Sequence, residues 1–260
     1  MNSDKPFFGS LPRRGISLDE DSVHKIRKGT KQLRARLQLL RQLEGQHHET
    51  EQLRQSVKEL ARILATQRDA DVMSFTLQQM IAETEDLEVQ QLLARLRSKL
   101  QPDPMPSGHM KRVHKLVRKI EKRTKKLLKH KHPVSEVEKL LARRLAILCA
   151  TGRELLTSND WEALHDWRKQ VKKLMYQYQL KPFLTPKDFF VFEHLDKLGS
   201  GLGNINDLSI LERYVNAHQA ESTRAHELEV YEKVHDRIDA RRLLELEGCR
   251  SVFRAINNLQ

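Results

Sequence analysis

His24, Arg27, Lys31 and Arg34 recur at spacings of three and four residues. On a helix that spacing puts them on one face, with successive rises of about 5 Å. Lys28 lies beside this row, and no acid occurs between Lys25 and Arg41. A second row, His165, Arg168, Lys169, Lys172 and Lys173, has the same opening. A third basic stretch runs from Lys111 to Lys129 through Lys115, Arg118, Lys119 and Lys122, with Glu121 as its one acid. Guanidinium groups grip phosphoryl oxygens two at a time, ammonium groups act as point charges, and an imidazole donates from a ring nitrogen. The chemistry these residues suit is the binding of a phosphate polyanion.

The two histidine rows are related by an internal repeat. Val23 and His24 are followed by Arg27 and Lys28, just as Leu164 and His165 are followed by Arg168 and Lys169. Lys31 and Lys172 each fall seven residues after the histidine, and Leu33 and Leu174 nine after it. A second matched pair follows in the same order, with Arg68, Asp69, Ala70 and Asp71 in the first half and Asn206, Asp207, Leu208 and Ser209 in the second. Two ordered matches about 140 residues apart indicate duplication. Asp69 and Asp207 are read as structural, capping the helices that follow them or pairing with the basic rows.

A lone lysine-rich helix face is ordinarily a solvated one, and a lone histidine is ordinarily structural. Solvated faces intersperse both signs of charge, however, whereas these rows are nearly free of acid and one of them is duplicated. Like charges three or four residues apart destabilise a helix, a penalty that an anionic partner removes. Rival site chemistries are weaker. Glu44 with His47 and Glu162 with His165 have the spacing of helical di-metal sites, but Arg168, Lys169 and Lys172 would repel a divalent cation, so no metal is expected. Gly199, Gly201 and Gly203 lack the strand before and the Gly-Lys-Ser/Thr after that a phosphate loop needs, and are read as a helix-terminating turn. No catalytic carboxylate cluster is found, and neither a catalytic residue nor a cofactor is expected.

The elements that must carry these rows are helices. Leu, Lys, Arg, Glu and Gln dominate the 260 residues, and no strand pattern survives inspection. Residues 1–18, with Pro6, Gly9, Pro12 and Gly15, read as a disordered tail, and Ser17 or Asp19 as the cap of the first helix. Its apolar stripe is Ile26, Leu33, Leu37 and Leu40. Further helices are expected near 51–68, 71–82, 86–100, 109–130, 134–156, 160–181, 187–199, 206–220 and 225–257, the last of these open to a break. Pro102, Pro104 and Pro106 mark an internal loop, Pro133 ends one helix before the next begins, and Pro182 and Pro186 make a turn.

Composition narrows the partners further. Lys and Arg number 47 against 35 Asp and Glu, a formal net charge of +12 that attracts polyanions. Aromatic residues are only 5%, too few for a base-stacking platform. Cys149 and Cys249 stand far apart with no second cysteine nearby, which fits a reducing compartment rather than a disulfide framework. The longest apolar stretches are too short to span a bilayer, and a cytoplasmic location is expected.

The histidine rows together with the two Asp-bearing motifs resemble the CHAD domain, the conserved histidine α-helical domain, over roughly residues 20 to 258. That resemblance implies an all-α fold of two pseudo-symmetric four-helix bundles around a basic central pore, with halves at about 19–157 and 158–258. It also implies inorganic polyphosphate as the ligand, association with polyphosphate granules, and His24, Arg27, Lys31 and Arg34 facing that ligand together with His165, Arg168, Lys169, Lys172 and Lys173. The basic helix near Arg118 would face them. Gln32 and Met175 stand where the family often has a base, each removing one charge from a row. The triphosphate-tunnel β-barrel that often accompanies such domains is absent from this chain. Other classes remain open at this point: a non-specific nucleic-acid or general polyanion binder, and a granule scaffold presenting its acidic, Leu-rich C-terminal region to a protein partner.

Overall fold

A computed structural model describes residues 20–44, 48–64, 68–100, 107–127, 133–158, 160–179, 181 and 184–259. Among them every regular element is a helix: α1 (Glu20–Glu44), α2 (His48–Ile63), α3 (Arg68–Glu83), α4 (Leu87–Ser98), α5 (Ser107–Leu127), α6 (Val134–Leu155), α7 (Trp161–Tyr178), α8 (Pro186–Gln219) and α9 (Ala225–Asn257). The expected N-terminal tail, its caps at Ser17 and Asp19, the Pro102 to Pro106 loop and Pro182 lie outside the described residues.

Local chemistry sets several helix starts. The Asp86 carboxylate accepts from the amides of Glu88 (3.0 Å) and Val89 (3.3 Å), capping α4. Asp160 does the same for α7 through the Ala163 amide at 2.9 Å. At α8 the Thr185 hydroxyl accepts from the Asp188 amide, and the Asp188 carboxylate accepts from the Thr185 amide, a reciprocal cap. Pro186 then occupies the first helical position, where its missing N–H costs nothing.

The chain divides into two compact units, each discontinuous in sequence. The first comprises residues 1–67, 104–146 and 172–192, the second 68–103, 147–171 and 193–260, so that α6, α7 and α8 contribute residues to both. In the first unit, Ile26, Leu33 and Leu37 of α1 share a core with Leu53, Val57 and Leu60 of α2 and Val113, Leu116, Val117 and Ile120 of α5. In the second, Leu77 and Met80 of α3, Val89, Leu92, Leu93 and Leu96 of α4, Leu208, Leu211 and Val215 of α8, and Val230, Tyr231, Val234 and Ile238 of α9 form another. Every one of these sets follows the three-and-four spacing of an apolar helix face.

Two expectations need correction. α8 does not stop at Gly199, Gly201 and Gly203 but runs on to Gln219. Its apolar stripe of Leu195, Leu198, Leu202, Ile205 and Leu208 stays buried across the glycines and outweighs their poor helix propensity, a cost of about 1 kcal/mol each. The missing side chains serve packing instead: a Cβ on Gly201 would lie 2.7 Å from the Cys249 sulfur, and one on Gly203 3.1 Å from the Arg168 guanidinium. Asp207 consequently caps nothing, sitting inside α8 and accepting from the Asn206 side-chain amide at 3.2 Å. α9 is likewise unbroken over its 33 residues. The side chains of Arg68, Asp69 and Asp71 lie outside the described residues.

Helix starts recur at nearly the offset of the sequence motifs. α7 begins 141 residues after α1, α8 begins 138 after α2, and α9 begins 138 after α4.

Candidate functional site

In α1 the buried stripe of Ile26, Thr30, Leu33 and Leu37 is joined by Ala35, Arg36 and Leu39, so that the second half of the helix is enclosed over most of its circumference. At about 100° per residue, the strip left open carries His24, Lys31, Arg34 and Gln38, with Arg27 half-buried within it and Lys28 exposed at one margin. Arg27 donates to the carbonyl of Leu64 just beyond the end of α2, which ties the row to the neighbouring helix. The cations are thus presented on a fixed surface, because the rest of the helix is committed to the core.

α7 repeats the buried pattern of α1 at five positions. Two, six, nine, twelve and thirteen residues after the histidine, Ile26, Thr30, Leu33, Arg36 and Leu37 are buried in α1, and Trp167, Val171, Leu174, Gln177 and Tyr178 in α7. Trp167 is the anchor of the second unit: its indole N–H donates to the Leu148 carbonyl at 3.2 Å and its ring meets Phe253 edge-on at 5.7 Å. The arginines of the two rows are seated alike. Arg27 bonds to Leu64, five residues before Asp69; Arg168 packs on Gly203, four residues before Asp207.

In the second unit His165 and Arg168 are half-buried and Lys169 is exposed, paired with Asp166 at 2.6 Å. The His165 Nδ1 is buried without a hydrogen-bond partner. Burial lowers the His165 pKa, Lys169 and Arg168 lower it further, Asp166 opposes them, and Arg213 of α8 adds to the depression. Arg213 escaped the sequence reading because it lies far along the chain from any histidine motif.

In the first unit α1 packs against the C-terminal part of α7 through amides. The Gln177 side-chain amide donates to the Ala35 carbonyl at 3.0 Å, and Gln32 donates to Gln179 at 3.2 Å. Gln32, whose neutrality looked like a lost charge, is therefore a packing contact. Arg144 of α6 donates to the side-chain oxygens of both Gln177 and Gln42. Lys172 and Lys173 of the second row are half-buried in this same unit. Burial lowers the pKa of Lys173, and nearby Arg144 lowers it further; burial also lowers that of Arg144. Met175, the other departure from a base, is buried and belongs to the core.

The third row is held differently. Val113, Leu116, Val117 and Ile120 bury one face of α5, while Lys115, Arg118, Lys119 and Lys122 stand exposed on the other. Acids of α2 take cations near each end, Glu59 with Arg112 at 2.5 Å and Glu49 with Lys126 at 2.8 Å. The four cations between form no ion pair among the described residues. Those residues contain no cluster of three His, Cys, Asp or Glu side chains able to hold a metal ion, and no helix long and apolar enough to cross a membrane. Cys249 is buried, with its thiol pushed up to about 12, so it is not a poised nucleophile.

Helices throughout the described residues, with basic faces, fit the resemblance drawn from the motifs, and comparison with protein families agrees. Residues 12–216 match the CHAD domain. The chain belongs to the CHAD family. Neither curated proteins nor solved structures gave a match.

Proposed function

We propose that this chain binds inorganic polyphosphate and catalyses no reaction. The observation that carries the reading is the setting of the two histidine rows. In α1 the row lies on the strip that the packed faces leave open, and where α1 meets the end of α7 the contacts between them are amides rather than carboxylates. Guanidinium, ammonium and imidazole groups set along a helix face in this way suit a partner that brings a series of phosphoryl oxygens to them. His24, Arg27, Lys28, Lys31 and Arg34 form the first contact row and His165, Arg168, Lys169, Lys172 and Lys173 the second. Lys115, Arg118, Lys119 and Lys122 supply a third.

The duplication and the family membership together support two pseudo-symmetric helical halves and a basic pore as the setting of these rows. A cytoplasmic location at polyphosphate granules, with a granule protein as partner, is part of the same proposal. A calorimetric titration at about 0.15 M salt tests it, because surface charges are already substantially screened there. Long-chain polyphosphate is expected to bind saturably, and an absence of binding would refute the proposal.

A further inference from the structure

Arg144 was not among the residues the sequence singled out, since it lies between Leu141 and Leu145 on a helix rich in apolar residues. Its place on the apolar margin of that helix was the one available signal. In the first unit its guanidinium reaches Gln42 of α1 and Gln177 of α7, so it joins three helices at one point. Gln42 lies on the same angular strip of α1 as His24 and Lys31, eighteen and eleven residues further on. Gln177 follows Lys173 by one helical turn. Lys173 itself makes no hydrogen bond or ion pair among the described residues.

A half-buried guanidinium ordinarily meets a carboxylate, because removing the charge from water is costly unless an anion compensates. Here both acceptors are neutral amide oxygens. A second half-buried cation, Lys173, stands close enough to repel it. The exposed Gln42 amide can rotate away and yield its place to a stronger acceptor, whereas Gln177 is buried and held by the Ala35 carbonyl.

We propose that Arg144, with Lys173, forms an inner phosphoryl-binding subsite in the first unit, in which oxygens of a condensed phosphate displace the exposed Gln42 from the guanidinium while Gln177 holds it in place. The subsite rests on the polyphosphate reading and adds to it a contact from a helix that carries no histidine row. Its two cations are uncompensated until the ligand arrives, so it stabilises the complex more than the free protein.

The test is calorimetry with tripolyphosphate and with long-chain polyphosphate at several salt concentrations, on wild type, Arg144→Gln and Lys173→Gln, alongside thermal unfolding of the free proteins. Arg144→Gln is expected to weaken tripolyphosphate binding about tenfold and to lower the salt slope by about one. The free variant is expected to fold, with at most a modest loss in melting temperature because the buried Gln177 oxygen loses a donor. Lys173→Gln should weaken binding in the same direction, and Arg144→Lys, which keeps the charge but loses the fork, serves in its place with weakened binding expected if Arg144→Gln does not fold. Wild-type binding with unchanged affinity and salt slope in the folded variants would overturn the subsite while leaving the polyphosphate reading in place. No binding of either ligand by wild type would overturn both.

Discussion

His24 is exposed on α1, whereas His165 is half-buried beside Arg168 and Lys169 with Arg213 contributing from α8. The difference has a pH consequence. Because the folded protein holds the His165 pKa below its ordinary value, the unfolded chain takes up that proton first as the pH falls. The stability contribution is complete above about pH 6.5 and is lost as the pH falls through the lowered folded value. A bound polyanion works in the opposite direction by favouring the imidazolium, so polyphosphate affinity should rise on acidification, and less so in His165→Gln. Titrations between about pH 8 and 5.5 check this, and a pH response undiminished in the variant would remove His165 from the site. The histidine rows were legible because a short motif occurs twice. Arg144 and Arg213 were not, because neither lies in a histidine motif and only packing brings each to its neighbours.

At the scale of elements, α8 teaches most. Three glycines within five residues looked like an end, and the helix continues because its apolar stripe and its neighbours require closeness there. Periodicity indicates where a helix buries itself but does not say which neighbour needs a glycine at its surface. Gly203→Ala is a sharp probe of that difference. Helix propensity alone favours alanine by about 1 kcal/mol, while its Cβ must displace the Arg168 guanidinium by a few tenths of an ångström. The expected result is a melting temperature equal to or above wild type with weaker polyphosphate binding. A Gly203→Ala protein that binds as tightly as wild type would show that the seat of Arg168 does not matter to the ligand. Gly152→Ala is the contrasting case, since its Cβ would lie 2.4 Å from the Trp167 ring and 2.7 Å from that of Phe253. Overpacking of this kind typically costs about 1–3 kcal/mol, and a urea melt is expected to show a loss in that range with little direct effect on the basic rows.

At the scale of the whole molecule, the all-helical class and most helix positions were readable from composition, proline placement and apolar periodicity. The compact units were not, because α6, α7 and α8 each contribute to both and no change of composition marks where they do so. Helix starts recur at offsets of 138 and 141 residues, close to the spacing of the paired sequence motifs. If a single long polymer engages both rows, affinity should grow with chain length beyond the number of phosphates one row can hold. Equal affinities for pyrophosphate and long-chain polyphosphate in calorimetry would rule out that bridging.

Counterion release rewards the same cations when the partner is a nucleic acid, so selectivity is the central question. The most direct measurement is a competition titration at about 0.15 M salt, in which labelled long-chain polyphosphate is displaced by unlabelled polyphosphate, duplex DNA or RNA, on wild type and on the Arg27→Ala, Arg168→Ala double variant. Specific polyphosphate binding by these rows requires that only polyphosphate compete effectively and that the double variant lose most of its binding. Equal competition by DNA or RNA, with normal binding by the variant, would contradict it and make the protein a general polyanion binder whose site lies elsewhere.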